Sequence, residues 1–343
     1  MIWDADGNLH WNIKKTGDVT RYPLGKDDDP TGSIVIWEHP NKNATTGLYI
    51  AGCLTPGEKV LTDKGLINVE NVDFGYKLIN KEGNPVKIIN LQRYQKINEP
   101  VFRIKPHGSY RTTQFTGEHP IMLENGEFTE AKNLSQKDVL LVPNRYASIK
   151  NDYVDIIKTS LNINPDDLNF WRFLGMWLGD GFTHINGKSH DVYMSFGKQH
   201  MVESESYFAL IKQLFNRTPI CCTGNGGLTR RFTHKKLVAF LDSNFGKYAN
   251  GKHIPEWVKF IPKQHKLALL YGYLDSDGTV IKDRNYHIVR FVSVNLSMLE
   301  AFQQILYSIG ICSSITLKTE EGDYLVNGKL QHRQKSFILQ LCS

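Results

Sequence analysis

The sequence predicts an all-β N-terminal part followed by an α+β domain that consists of two copies of one motif. Between residues 53 and 146, short β-forming runs are separated by turns of Gly, Asn, Asp and Pro. Further along, the apolar helical stretches 170–181 and 269–278 both end in an acid followed by glycine. Each stretch is followed by strand-like sequence and an amphipathic helix, and Asp180 and Asp277 are 97 residues apart. This repetition indicates an internal duplication.

Length and composition are typical of a folded protein with two or three domains. The chain has 343 residues, of which 41% are hydrophobic. It contains no run of about 18 apolar residues, and its start, MIWDADGNLH, does not resemble a signal peptide. We therefore expect a cytoplasmic protein with no membrane partner. The five cysteines are odd in number and form no CxxC pair, which argues against a disulfide framework and against structural zinc.

Positive charge is concentrated in the C-terminal part. Residues 150–343 carry 23 Lys and Arg against 17 Asp and Glu, whereas residues 1–52 carry 5 against 7. A basic excess is expected of a surface that touches phosphates. An excess of this size is also common in proteins that bind no nucleic acid, so charge alone does not identify the substrate.

The chain divides into three segments by pattern. Residues 1–52 contain strand-like runs but no amphipathic helix, and they are too short to form a stable domain. Residues 53–149 predict a β-domain, and residues 150–343 begin with a polar connector at 151–167. In the β-domain, the predicted strands lie at 59–62, 65–69, 86–92, 101–104, 111–115 and 139–142, and a one-turn helix lies at 131–134.

The C-terminal segment predicts matching elements in its two copies. Predicted strands lie at 191–197, 286–294 and 334–341, and predicted amphipathic helices lie at 203–215, 235–245 and 296–309. The first copy closes with the helix at 235–245. The second copy reaches Ser343 directly after its last strand, so we expect this copy to be truncated.

Small residues recur on one face of both apolar helices. Gly175 and Gly179 are four apart, as are Gly272 and Ser276, and this spacing lets two helix backbones approach closely. Such packing would bring the terminal acids of the two helices close together, where they repel each other unless a cation lies between them. A single acid-Gly pair is more typical of a solvated helix end. Two copies at equivalent points favour a site for Mg²⁺, which prefers oxygen ligands.

The stretches FLGMWLGDG and LYGYLDSDG resemble the two motifs of the LAGLIDADG (DOD-type) homing endonucleases, and the resemblance covers nearly all of 168–343. It implies two αββαββα halves, with Asp180 and Asp277 as the catalytic, Mg²⁺-binding acids and Asp275 at a non-metal position. Lys252 lies in a Lys-His-Ile-Pro stretch that resembles the Lys-x-Ile-Pro stretch of intein-borne members. The family resemblance makes Lys252 an electrostatic or proton-transfer helper. The alternative is a surface lysine before a proline turn.

The same resemblance implies DNA recognition by the strands of each half. Basic residues on or beside these strands could contact phosphates or guanines. For each residue, a solvated surface charge is an equally good interpretation. The candidates are Lys198, Arg230, Arg231, Arg290 and Arg333.

Two spots in the β-domain resemble the opening motifs of inteins, which have the Hedgehog/intein (Hint) fold. They are CLTPGEKVLT, beginning at Cys53, and TGEHP, beginning at Thr116. The resemblance implies that the Cys53 thiol attacks the Gly52 carbonyl in the first step of protein splicing. It makes His119 the proton donor to the departing amide, with Thr116 beside it. If each residue is considered alone, the simpler interpretation of Cys53 is a buried cysteine at a strand end. The simpler interpretation of His119 is a histidine in a turn.

On this reading residues 1–52 are the N-terminal flank of a host protein, the extein. The stretches WEHP and GLYIAG resemble the entry to the nuclease part of phage terminase large subunits, which suggests a phage or prophage gene in a bacterial cell. The closing intein motifs, a His-Asn pair and a following Cys, Ser or Thr, are absent, and His332 is the last histidine. We therefore expect a fragment, one piece of a split intein with a separate C-terminal half, or a truncated relic, which alone performs at most the first step.

The leading functional prediction is an intein-embedded, site-specific double-strand DNA endonuclease whose substrate is an intein-free copy of the host gene. The alternative is a nuclease-inactive or truncated intein relic that is limited to N-terminal autocleavage or DNA binding. A purely structural protein would have to explain both helix-end acids as caps and Cys53 as a packing residue.

Overall fold

A computed structural model describes most of the chain after residue 53. The described residues are 54–80, 83–88, 90–94, 100–141, 146, 153–196, 201–224, 227–283, 286–326 and 329–341, together with the strands at 19–22 and 33–37. Gly52, Cys53 and Lys198 lie outside them. The chain divides into two compact units, residues 1–149 with 306–316, and residues 150–305 with 317–343.

The first unit consists of short antiparallel strands with two 3₁₀ turns, at Val69–Asn71 and Ala131–Asn133. The strands are β1 (Val19–Tyr22), β2 (Ser33–Trp37), β3 (Lys59–Thr62), β4 (Gly65–Asn68), β5 (Lys77–Ile79), β6 (Pro85–Lys87), β7 (Asn90–Tyr94), β8 (Val101–Ile104), β9 (Thr113–Thr116), β10 (Pro120–Met122) and β11 (Phe128–Glu130). They form sheets in the orders β4-β3-β5-β6, β1-β8-β9, β2-β7 and β10-β11. The two strands described before residue 53 therefore pair with strands that follow it.

Four of the six strands predicted for the first unit are present, two differ, and β5, β10 and β11 were not predicted. The run 86–92 is divided into β6 and β7, and the run 139–142 is not a strand where it is described. Leu140 forms only an isolated bridge to Leu123. The predicted one-turn helix is the second 3₁₀ turn.

The rest of the chain is α+β, as predicted. Its helices are α1 (Tyr153–Leu161), α2 (Leu168–Asp180), α3 (Met201–Phe215), α4 (Lys235–Phe245), α5 (Tyr248–Gly251), α6 (Lys263–Asp277) and α7 (Leu296–Tyr307), with a 3₁₀ helix at Glu256–Phe260. Its strands are β12 (Gly181–Asn186), β13 (Ser189–Phe196), β14 (Ile220–Gly224), β15 (Gly227–Thr233), β16 (Gly278–Asp283), β17 (Tyr286–Ser293), β18 (Ser313–Thr319), β19 (Gly322–Val326), β20 (Lys329–Arg333) and β21 (Ser336–Leu341). From α2 to α4 the first copy has the order αββαββα. The second copy repeats this order from α6 to β18 and adds the hairpin β19–β20 before β21.

The polar connector predicted at 151–167 is wrong over half of its length, because it contains α1. Polar residues dominate this stretch, but Tyr153, Ile157 and Leu161 are spaced four apart and are all buried. One apolar stripe at this spacing is sufficient to hold a short helix against its neighbours.

Each copy contains one antiparallel sheet with one face under helices. The orders are β12-β13-β15-β14 and β16-β17-β21-β18. In the first sheet, the buried face includes Phe232, whose ring lies 5.7 Å from that of Phe215 on α3. In the second, the ring of Phe291 lies 5.7 Å from that of Phe302 on α7. Among the described residues, no helix is long and apolar enough to cross a membrane.

Candidate functional site

Helices α2 and α6 touch backbone to backbone. A Cβ placed on Gly175 would lie 2.7 Å from the amide nitrogen of Tyr273 and 2.9 Å from the Cα of Gly272. A Cβ on Gly272 would in turn lie 2.9 Å from the amide nitrogen of Met176. No ordinary side chain fits at these distances. The predicted role of the small residues, which is to let the two helices approach, therefore agrees with the observed packing.

An ion pair also joins the two helices at the surface. The guanidinium of Arg172 on α2 donates to the carboxylate of Asp275 on α6 from Nε and Nη2, at 3.0 and 2.8 Å. At the start of α2, the Asp167 side chain caps the helix by accepting from the Asn169 amide at 2.9 Å. The Asp275 carboxylate is thus engaged by Arg172 of α2.

Asp180 and Asp277 are the last residues of α2 and α6, and each is followed by a glycine that begins a strand. A Cβ on Gly278 would lie within 2.6 Å of the carbonyl oxygen of Leu274, so glycine is needed where the chain turns into β16. Burial, and then the charge of Asp180, raise the pKa of Asp277 to about 6, against Lys252 and a hydrogen bond from Tyr273, which lower it. The two carboxylates therefore lie within electrostatic reach of each other.

Lys252 is buried at the end of α2 and is not a surface residue. Its side chain is 4% exposed. The ammonium donates to the carbonyls of Trp177, Leu178, Gly179 and Gly181 at 2.8, 2.9, 3.2 and 2.6 Å. Burial lowers its pKa to about 8, against the attraction of Asp277 and Asp180.

Asn295, which the sequence did not single out, holds the loop that carries Lys252. Its amide nitrogen donates to the Lys252 carbonyl at 2.6 Å, and its Oδ1 accepts from the Met298 amide at 3.1 Å. One side chain therefore joins this loop to the start of α7. In the sequence Ser293-Val294-Asn295-Leu296, an asparagine directly before a helix gave only the weak signal of a helix cap.

Replacing Lys252 by Met should lower the free energy of unfolding by about 1–3 kcal/mol, because carbonyls at the end of α2 lose a charged donor. The desolvation cost of the ammonium acts in the opposite direction, but leaving several buried carbonyls of α2 without a donor costs more. Urea denaturation measures the effect. Lys263→Met, at an exposed position on α6, is the matched control and should change stability by less than about 0.5 kcal/mol. Equal losses in the two variants would contradict the capping role.

The raised pKa of Asp277 predicts that the metal-free chain loses stability as pH rises through about 4 to 6. In this window the native state holds a proton that the unfolded state has already released, so higher pH favours unfolding. Asp277→Asn removes this effect and should stabilise the metal-free protein at pH 7 by about 1–3 kcal/mol. Thermal unfolding at pH 4 and pH 7 in EDTA measures the difference. A variant that is no more stable than wild type at pH 7 would contradict the assigned burial.

In the first unit, Thr116 and His119 lie together in one tight turn. Thr116 ends β9, and its carbonyl accepts from the His119 amide at 3.1 Å. Both side chains are buried, and the His119 ring lies 4.6 Å from that of Phe115. Leu54 forms a bridge with Phe115, so the residue after Cys53 lies beside the strand that leads into this turn.

The candidate DNA contacts fall into different environments. Arg231 and Arg290 lie on the sheet faces away from the helices, and Arg333 lies on the hairpin strand β20, with its guanidinium 5.8 Å from the ring of Tyr324. Arg230 lies on the helix-covered face of its sheet, 8% exposed, and pairs with Glu205 of α3. Successive strand residues point to opposite faces. The prediction that Arg230 contacts DNA is therefore wrong, because its side chain is buried against α3. The roles of Arg231, Arg290 and Arg333 stay predictions.

Residues 264–334 match a family model described as a LAGLIDADG-like domain. A DNA polymerase of Thermococcus hydrothermalis is 25% identical over 191 residues, which cover 54% of this chain and 11% of the polymerase. An iron-sulfur cluster assembly SufBD family protein of Mycobacterium leprae is 24% identical over 303 residues, which cover 78% of this chain and 33% of that protein. The chain thus spans a minor part of these relatives.

A crystal structure of I-DmoI in complex with DNA and Mn is similar to 51% of this chain and to 89% of its own chain, with 14% identity and a TM-score of 0.38. The LAGLIDADG-like domain model matches the second copy of the duplicated motif, from the start of α6 into the hairpin. The resemblances of the first unit to a Hint domain and of residues 1–52 to a terminase stay predictions.

Proposed function

We propose that this chain is a site-specific, Mg²⁺-dependent endonuclease that cuts double-stranded DNA and is carried within an intein. The observation that carries the proposal is the pair of helices α2 and α6, which meet backbone to backbone and each end in an aspartate. The LAGLIDADG-like domain match over 264–334 supports the same reading.

The two carboxylates are suited to a divalent cation that is coordinated by the protein and by the substrate together. No group of three or more His, Cys, Asp or Glu side chains able to hold a metal occurs among the described residues. Mg²⁺ needs no such cage, since one or two carboxylates, waters and substrate phosphates complete its coordination. Asp180 and Asp277 would hold it. A cation bound there supplies Lewis-acid polarisation of the scissile phosphate and a lower pKa for a bound water.

The residues of this chain fix where that chemistry can occur. The glycine contacts between α2 and α6 set the separation of the carboxylates, and the Arg172–Asp275 ion pair adds a link between the two helices at the surface. Lys252 holds the last turn of α2 and places a positive charge near both acids, where it would attract a phosphate. The Tyr273 hydroxyl, which donates to the Val292 carbonyl at 3.3 Å, lies close enough to Asp277 to lower its pKa.

The test is incubation of the purified chain with Mg²⁺ and with duplexes that tile the host gene without its insertion. We expect one double-strand break, at the position where the insertion occurs. Cleavage at no position, with DNA binding retained, would favour the alternative of a nuclease-inactive relic.

An insertion also accounts for the pattern of relatives. The matched stretches occupy 11% of a DNA polymerase and 33% of a SufBD family protein, which share no evident activity. A segment that is common to otherwise unlike proteins is what a mobile insertion produces. The bridge between Leu54 and Phe115, next to the buried Thr116–His119 turn, supports Cys53 as the nucleophile of a splicing reaction.

For the splicing step, we expect incubation with an excess of a small thiol to cleave the chain after Gly52. The Cys53 thiolate would attack the Gly52 carbonyl to form a thioester, the amide nitrogen would leave with a proton, and the added thiol would then displace Cys53. Mass spectrometry of the two fragments measures the reaction. Cys53→Ala should abolish cleavage, whereas Cys312→Ala, at an exposed free cysteine, should not. Equal cleavage of both variants would contradict the assignment.

A further inference from the structure

Lys252 lies in a short loop, residues 246–253, which we call the lysine loop. The Lys252 amide donates to the Tyr248 carbonyl at 3.0 Å, and the His253 amide donates to the Phe245 carbonyl at 2.9 Å. These two bonds join residues of the loop to each other and to the end of α4. They give the loop its shape, but they do not join it to the second copy of the motif.

Asn295, which is 7% exposed, joins the lysine loop to the second copy. Its Nδ2 donates to the Lys252 carbonyl at 2.6 Å and to the carbonyls of Ala249 and Asn250 at 3.3 Å each. The carbonyls of the loop thus converge on one amide group, and the bond to Lys252 is the shortest of them. We call these three bonds the Asn295 bridge.

The other half of the Asn295 side chain is held at the start of α7. Its Oδ1 accepts from the Met298 amide at 3.1 Å and from the Ser297 hydroxyl at 3.0 Å. The Asn295 amide itself donates to the Ser293 hydroxyl at 3.1 Å. An asparagine side chain has one acceptor and two donors, and here both kinds of group are used. The side chain therefore cannot turn away from the loop without breaking bonds at α7.

The turn at residues 292–295 contacts the surroundings of both acids. Its Val292 carbonyl accepts from the Tyr273 hydroxyl, which lies beside Asp277. Its other end carries the Asn295 bridge to the backbone of Lys252, whose ammonium is bonded to the end of α2. One turn of the second copy thus supports side chains next to each of the helix-end carboxylates.

We propose that Asn295 is a positioning residue for DNA cleavage and acts by fixing Lys252 through the Asn295 bridge. This inference rests on the proposed nuclease function. The bridge holds the backbone of Lys252, and the carbonyls of α2 hold its ammonium. A side chain held at both ends keeps its charge in one place and needs no rearrangement during the reaction. Displacement of such a group by about 1 Å is sufficient to slow a reaction by up to about 100-fold.

Asn295→Ser removes the bridge and keeps the cap of α7, because serine is a good capping residue but is too short to reach the loop as well. We expect this variant to cut the host-gene duplex about tenfold more slowly in single-turnover reactions with Mg²⁺. Its affinity for the duplex should stay within about twofold of wild type, since phosphate contacts elsewhere are unchanged. Asn295→Asp, which keeps the acceptor but has no donor, should also slow cleavage.

His234→Ala is the matched control for the loss of a helix-end bond. The His234 side chain caps α4 by accepting from the Leu237 amide at 3.1 Å, and it makes no contact with the lysine loop. We expect this variant to lose stability and to keep the wild-type cleavage rate. Thermal midpoints well above the assay temperature show that all variants are folded.

A double-mutant cycle separates positioning from a general loss of structure. Lys252→Met alone should slow cleavage about 100-fold, the effect of removing one preorganised charge. Adding Asn295→Ser to Lys252→Met should slow cleavage by less than about a further twofold, because the bridge then has no charge to position. Two independent roles would instead multiply the two losses.

Acetylation of Lys252 tests the bridge without DNA. The folded chain is treated with N-hydroxysuccinimide acetate, and peptide mass spectrometry measures the rate at which Lys252 is modified. We expect this rate to be about tenfold higher in Asn295→Ser, the effect of one buried hydrogen bond on a local opening. In His234→Ala it should be the same as in wild type.

Three results overturn the inference in distinguishable ways. If wild type cuts DNA but Asn295→Ser cuts as fast as His234→Ala, or its loss multiplies fully with that of Lys252→Met, the inference fails and the proposed function stands. If wild type cuts no duplex, the proposed function and the catalytic role of Asn295 fail together. Equal acetylation of Lys252 in Asn295→Ser and in wild type would show that the bridge does not fix the lysine, whatever the cleavage rates.

Discussion

Asp277→Asn is expected to slow DNA cleavage more than about 100-fold while DNA binding persists. The asparagine keeps the shape of the side chain and can still accept the hydrogen bond from Tyr273, but it removes one of the two charges that would hold the cation. Loss of metal-assisted stabilisation costs several kcal/mol of the transition state, and each 1.4 kcal/mol is about tenfold in rate. Asp180→Asn should have the same effect, because its carboxylate occupies the equivalent position on α2.

Asp275→Asn is the matched control for these variants. Asp275 lies two residues from Asp277 on the same helix, but its carboxylate accepts from Arg172. Loss of a partly exposed ion pair costs about 1 kcal/mol or less of stability and should leave the cleavage rate within a fewfold of wild type. A rate for Asp277→Asn as high as that of Asp275→Asn would show that the helix-end acids are not the catalytic pair.

Gly175→Ala is expected to destabilise the protein by about 3 kcal/mol or more. Alanine is favoured over glycine within a helix by about 1 kcal/mol, so an isolated α2 would gain stability. In the folded chain the new methyl group would overlap the carbonyl oxygen of Leu269 and approach the backbone of Gly272, and neither atom can move without moving α6. The overlap therefore outweighs the gain in helix propensity.

Gly251→Ala provides the matched control for this substitution. A Cβ at Gly251, the last residue of α5, would meet no atom within 4 Å, and its φ is outside the left-handed region. We expect this variant to be neutral or to gain up to about 1 kcal/mol. Urea denaturation of both variants measures the difference. Equal stability of the two would show that α2 and α6 do not pack as closely as described.

Local sequence was sufficient to predict the helix pair. Small residues at Gly175, Gly179, Gly272 and Ser276 predicted close helices, and the acid-Gly pairs predicted where they end. These features are short-range, since an i, i+4 spacing defines one helix face without knowledge of the fold. The duplication supplied the one long-range inference, because a 97-residue repeat implies that two equivalent helices exist to be paired.

The sequence alone did not predict the strand register. Arg230 and Arg231 are adjacent and equally charged, yet one is buried against Glu205 and the other lies on the uncovered face with Tyr193. A shift of one residue exchanges these faces, and only the pairing with β13 determines it. The burial of Lys252 likewise depends on carbonyls 71 to 75 residues away in sequence.

The most direct test of the central claim is a crystal structure of the chain bound to its target duplex in the presence of Mn²⁺, which is detectable by anomalous scattering. We expect anomalous density within about 2.6 Å of carboxylate oxygens of both Asp180 and Asp277, and beside a phosphate of the DNA. Density that is bound by other side chains, with the two helix-end carboxylates making no metal contact, would contradict the account.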